Sequence, residues 1–131
     1  MKVLRLTDQV EIKFGDIVVT ISPISREQKA DISSCVKMHA GKEIVDYEGI
    51  AIKTIQYSVK NVTGLTDYNG ENYNLFFEPG VKTLPILTEE CAMELLGVFA
   101  STPITQALSQ VVSQNLSEIE GIEFKVVSRK K

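Results

Sequence analysis

The segment VEIKFGDIVVTI, Val10 to Ile21, constrains this chain more than any other. With Gly15-Asp16 as a two-residue turn, Phe14 faces Ile17, Ile12 faces Val19 and Val10 faces Ile21. All six apolar side chains then lie on one side, with Glu11, Lys13 and Thr20 on the other. A register that agrees with both the period of two and a glycine at the first turn position specifies a β-hairpin with one face for a core. Val3 to Leu6 ahead of it extend the first strand or add another. A chain of 131 residues is long enough for one such core and too short for two. We therefore expect a single α+β domain over residues 1–127, with a basic tail, Ser128 to Lys131, behind it.

Pro23 ends the second strand, because proline has no donor for a sheet ladder. Ser25 and Gln28 then form a capping-box pattern. A helix is expected from Arg26 to Ala40, because Ile32, Cys35, Val36 and His39 fall at i, i+3, i+4 and i+7. Gly41 is its stop. The next stretch, YEGIAIKTIQYSVKNV, is ambiguous over residues 45–60. Ile55, Tyr57 and Val59 alternate with polar residues as in a strand, while Ile52, Ile55, Val59 and Val62 also fit a helix. The β-branched and aromatic content favours the strand. The apolar phase slips between Val59 and Val62, and a bulge at Lys60-Asn61 would absorb the slip.

A second hairpin is expected in GLTDYNGENYNLFF, Gly64 to Phe77. Asn69-Gly70 as a type I′ turn sets Thr66 opposite Tyr73 and Val62 opposite Phe77. One face then carries Val62, Tyr73, Leu75 and Phe77. Leu65 and Phe76 lie off that face, so either a second layer covers the other side or it is an exposed contact patch; we expect the covered sheet. Thr88 caps a helix opened by Glu89 and Glu90, where the helix dipole favours anions. Its apolar stripe is Ala92, Leu95, Leu96 and Phe99. Thr102 and Pro103 start another, with Ile104, Ala107, Leu108, Val111 and Val112 inward, giving an αα-hairpin with a very short link. Ile122, Phe124 and Val126 alternate in a last strand. The expected fold is an antiparallel sheet of two β-hairpins plus a C-terminal strand, packed with one N-terminal helix and a C-terminal αα-hairpin.

The chemistry is sparse. A net charge of -3 argues against a nucleic-acid partner, which needs a basic stripe. No apolar run approaches the roughly 18 residues of a membrane span. Charges interrupt the first residues, so they do not read as a signal peptide and the expected compartment is the cytoplasm. Cys35 and Cys91, placed on different helices, read as buried free thiols. His39 is the only histidine; at the end of the first helix it reads as a structural cation. With two cysteines and one histidine far apart, a zinc site, which takes about three or four such ligands, is not expected. DYNGEN is too short for the roughly twelve-residue calcium loop. No catalytic, cofactor-binding or metal residue stands out, and a binding or assembly protein is expected rather than an enzyme.

YSVKNVTGLTDYNGENYNLFFEPG followed by LTEECAMELL resembles the small tail-assembly chaperones of tailed bacteriophages. The matching residues are Asp67, Gly70, Phe76, Phe77, Leu87, Thr88 and Glu89; ISPISREQKADI resembles the Pro-containing start of the first helix in that family. The resemblance spans Ile21 to Leu96. It implies a non-enzymatic role: holding an apolar, helix-rich tape-measure protein in solution in the host cytoplasm until tail-tube subunits polymerise. Helix-in-groove contact would provide the binding, with Leu65, Phe76, Val98 and Val112 as the implied partner contacts. Many chaperones of this kind are mostly helical, so a minor structural or baseplate protein of the virion is an alternative, as is a small bacterial peptide- or ligand-binding module. A homo-oligomer is compatible with each.

Overall fold

The computed structural model describes residues 3–80 and 85–128; most of the basic tail lies outside them. The first hairpin takes the expected register. Strand β1 (Asp8–Phe14) pairs antiparallel with β2 (Ile17–Ile21), with Val10, Ile12 and Phe14 opposite Ile21, Val19 and Ile17. Gly15 supplies the positive φ of the turn. Val3 to Leu6 add no strand; Arg5 and Asp8 close a turn there, the Arg5 N–H donating to the Asp8 carboxylate at 2.9 Å.

The hairpin is the middle of a four-stranded antiparallel sheet in the order β5 (Val59–Thr63), β2, β1, β8 (Glu123–Ser128). The last strand, β8 (Glu123–Ser128), returns beside β1 as expected, putting Phe124 opposite Ile12 and Val126 opposite Val10. On the outer face the same register sets Glu11 against Lys125 and Lys13 against Glu123. Opposite charges at facing positions support the register that burial already demands.

Residues 45–60 are the first correction. They form helix α2 (Tyr47–Ser58), which runs without a loop into β5 (Val59–Thr63). Asp46 caps the helix, its Oδ1 accepting the Gly49 N–H at 2.9 Å. The β-branched residues read as a strand are held helical because Ile52 and Ile55 bury one face in the main core beside α3 (Glu89–Phe99), so packing overrides propensity. The expected bulge is present. Thr20 pairs with Asn61 and Ile21 with Val59, leaving Lys60 as the extra residue. Without it, Val59 and Val62 would point to opposite faces; with it, both are buried.

The N-terminal helix is the second correction. The capping box forms, with Gln28 N–H on Ser25 Oγ at 3.2 Å and Ser25 N–H on Gln28 Oε1 at 3.0 Å. Yet α1 spans only Arg26–Ser33. Ser33 and Ser34 turn their hydroxyls back onto the carbonyls of Lys29 and Asp31, and the chain leaves the helix. Val36–His39 and Lys42–Val45 then form a separate two-stranded ribbon, β3 and β4. Ala40 and Gly41, both at positive φ, make its turn, so Gly41 closes a hairpin instead of stopping a helix. The apparent stripe of Ile32, Cys35, Val36 and His39 was a coincidence of spacing, and Cys35 lies between α1 and β3.

The second hairpin keeps its turn but not its register. Asp67 accepts the N–H groups of Asn69 and Glu71 on Oδ1, and Gly70 alone of the turn residues has positive φ. This is a type I turn followed by a left-handed glycine, not type I′. Thr66 therefore pairs with Asn72, and the Tyr73 N–H reaches the Leu65 carbonyl at 2.9 Å. A one-residue slip exchanges the faces. Leu65 joins Tyr73 and Leu75 at the edge of the core, while Phe77, expected inside, is 46% exposed. Phe77 begins β6 (Phe77–Pro79), which pairs with β7 (Pro85–Leu87) and not with Val62.

Helices α3 (Glu89–Phe99) and α4 (Ile104–Val112) bury the expected stripes. Their neighbours differ from a simple αα-hairpin: α3 packs on α2, and α4 lies across β1. One core thus joins the inner face of the sheet to three helices, with Phe99, Leu95, Ile12 and Ile104 fully buried. Gly64, at φ +85, passes so close to the first hairpin that a Cβ would collide with the Asp16 carbonyl. Gly64→Ala should cost about 1–3 kcal/mol from backbone strain alone, and more from the collision, read as a lower urea midpoint. Phe99→Ala should cost about 3–5 kcal/mol on the same measurement.

Candidate partner-binding surfaces

The residues implied as partner contacts do not converge on one site. Val98 is 42% exposed on α3, and Phe76 is 65% exposed just before β6. Val112, half-buried at the end of α4, lines a groove of about 240 Å³ between α2, α3 and α4. Ala51, Ile55, Leu96 and Leu108 complete its apolar walls, and Thr105 and Ser109 stand exposed on its rim. Leu65 is half-buried beside β5 and belongs to the edge of the core.

A larger cleft, about 600 Å³, opens where the end of the sheet meets β6 and β7. Leu6, Pro23, Phe77 and Pro85 give it apolar walls, and Gln28, Tyr57 and Lys60 add polar groups. Tyr57 reaches it from the last turn of α2. Its hydroxyl donates to Asp31 Oδ2 on α1, and Lys53 Nζ reaches the same oxygen at 3.0 Å. This carboxylate ties α1 to α2. Burial, then the bond to Asp31, pushes the Tyr57 phenol up to about 12. The hydrogen bonds from Tyr57 and Lys53 hold the Asp31 carboxyl below its ordinary value.

Apolar side chains are also exposed on the β3–β4 ribbon, where Met38 is 70% and Ile44 is 54% exposed. His39 sits there too, on an exposed strand position, so the helix-end role expected for it does not apply. The hairpin could have been read from the alternation of VKMH ahead of Ala40-Gly41; the capping box upstream masked it. Cys91 is buried and free, with its Sγ 3.5 Å from the Tyr73 hydroxyl; Cys35 is free and half-buried. Burial first, and then the contact with Cys91, raise the Tyr73 phenol. Among the described residues no group of three His, Cys, Asp or Glu is placed to hold a metal ion, and no helix is long and apolar enough to cross a membrane.

Removing the phenol oxygen tests the link between the cleft and α1. In Tyr57→Phe the Asp31 carboxyl loses its strongest donor and should titrate closer to 3.8 by carbon-detected NMR. Stability held by the depressed Asp31 is present above its unfolded value and lost as pH falls through the folded one. The substitution should therefore flatten acid unfolding in that window. It should also remove the loss of stability expected as pH rises from 10.0 towards about 12, where the wild-type phenol ionises. Neither a protein-family model, nor a curated protein, nor a solved structure matches the chain.

Proposed function

We propose that this chain is a non-enzymatic assembly protein of a tailed bacteriophage: a tail-assembly chaperone that holds an apolar helix of a tape-measure-type protein during virion assembly. The observation that carries this reading is the groove between α2, α3 and α4. Its walls are aliphatic, its rim is small and hydroxylated, and it lies open on the helical side of the domain. An amphipathic helix laid there would cover Leu96, Leu108 and Val112 and leave its polar face in water. Phe76 and Val98, exposed outside the groove, are secondary contacts for the flanking parts of a long partner.

Thr105→Arg with Ser109→Arg fills the rim without touching a buried side chain. Co-expressed wild-type protein should keep a tape-measure segment soluble, and the doubly substituted protein should leave most of it in the pellet. A partner that is equally soluble with both, or with neither, removes the support for this reading.

The larger cleft favours a second reading, a peptide- or ligand-binding module, because it joins apolar walls to a few polar groups as small-molecule sites do. An amide-shift titration with the partner segment separates the two. Shifts centred on Thr105 and Ser109 support the groove; shifts centred on Gln28 and Lys60 support the cleft.

A further inference from the structure

The β3–β4 ribbon is an arm without a core. Every residue from Val36 to Ile44 is exposed, and Val45 is only half-buried. Isolated two-stranded hairpins are marginal in water, so such a ribbon gains order from something laid against it. Its register pairs Lys37 with Ile44 and His39 with Lys42. One face of the arm is therefore an isoleucine surrounded by Lys37, His39 and Lys42.

The chain carries a surface of matching chemistry. Glu90, Met93, Glu94, Gly97 and Val98 are all exposed on α3. They lie three and four residues apart, so they form one outer stripe with acids at its N-terminal end and apolar atoms beyond. From residue 83 to 124 every charged side chain is a glutamate, so no cation on α3 or α4 neutralises the stripe. Gly97 is an independent observation. Glycine inside a helix costs about 0.5–1 kcal/mol relative to alanine. A Cβ at Gly97 would meet nothing within 4 Å, so nothing inside the molecule requires glycine there. A second backbone passing close to α3 would.

We propose that the β3–β4 arm of one molecule docks on the outer stripe of α3 in a second copy. Ile44 covers Met93, Gly97 and Val98, while Lys37 and Lys42 meet Glu90 and Glu94. Two arms repel each other, as do two acidic stripes, so the contact pairs an arm with a stripe. Each copy both gives an arm and receives one, reciprocally in a two-fold pair or onward into a ring or an open chain. The patch is small and its charges are exposed, so the contact is weak and screened by salt. It needs no second protein, and it meets the tape-measure reading only at Val98.

Sedimentation velocity on the full chain tests it. Wild type should associate with rising concentration at low salt, and less at high salt. Lys37→Glu with Lys42→Glu should weaken association about tenfold or more, and Glu90→Lys with Glu94→Lys should do the same. Mixing these two variants should restore it, because each then offers the charge the other lacks. Circular dichroism verifies that both are folded. Gly97→Ala should raise the thermal midpoint yet weaken association, a combination that a purely internal role for the position would not produce. A wild type that stays monomeric at low salt, a mixture that stays monomeric, or a Gly97→Ala that associates as wild type does overturns the proposal.

Discussion

The burial of one face of the β1–β2 hairpin is the constraint on which the rest of the molecule depends. Val10, Ile12, Val19 and Ile21 are wholly removed from water, and each such side chain contributes about 1.5–3 kcal/mol relative to exposure. Two strands cannot bury that face alone. Both edges are extended, by β5 on one side and β8 on the other, and the helices α2, α3 and α4 cover the result. The strand order puts the two ends of the sequence-local hairpin next to segments roughly 40 and 110 residues away along the chain. The domain is closed by contacts that no local segment can make by itself.

The junction of α2 with β5 shows how that demand is met in detail. A helix that enters a strand without a loop must satisfy its last carbonyls and still deliver the strand in phase. The Ser58 carbonyl accepts the Ser22 N–H at 2.8 Å, and the Ser58 hydroxyl bonds back to Thr54. The residue that closes the last turn of α2 thus also holds the chain just past the end of β2. Lys60 then takes up the odd residue, and Val62 returns to the core beside Val59. Slack in the register is concentrated at one half-buried lysine that lines the larger cleft.

What could be read in the residues follows from how local the deciding force is. The first hairpin, the Thr88 cap, the stripes of α3 and α4 and the Lys60 bulge were legible, because alternation, side-chain capping and phase act within a few residues. Three elements were not. The α2 helix is built from residues that prefer strands, and only the sheet beneath Ile52 and Ile55 decides between the two periods. The arm was hidden by a genuine helix start whose stripe continued by chance past Ser33 and Ser34. The turn at Asp67 depends on one carboxylate choosing backbone donors two and four residues ahead, and that choice moved Phe77 from an expected core position to the surface. Of the residues implied as partner contacts, only Val112 fell on the helical groove; Val98 faces outward on α3, while Leu65 and Phe76 lie outside the regular elements, where exposure depends on the register that was misread.

The errors and the surfaces have a common origin. Apart from α2, where burial overrides the local pattern, pattern and structure agree where burial is strong, and the side chains are occupied in holding the fold. Where they disagree, at residues 34–45 and 65–79, apolar side chains such as Met38, Ile44, Phe76 and Phe77 are left outside. A chain that needed only to fold would gain by making those positions polar, since exposed apolar groups add no stability and promote association. Met38 and Ile44 lie on a ribbon whose strands bury no side chain, whereas Phe77 lies on a pair whose other strand, β7, buries Leu87 in the core. The core fixes the shape, and the marginal strands present apolar side chains to solvent.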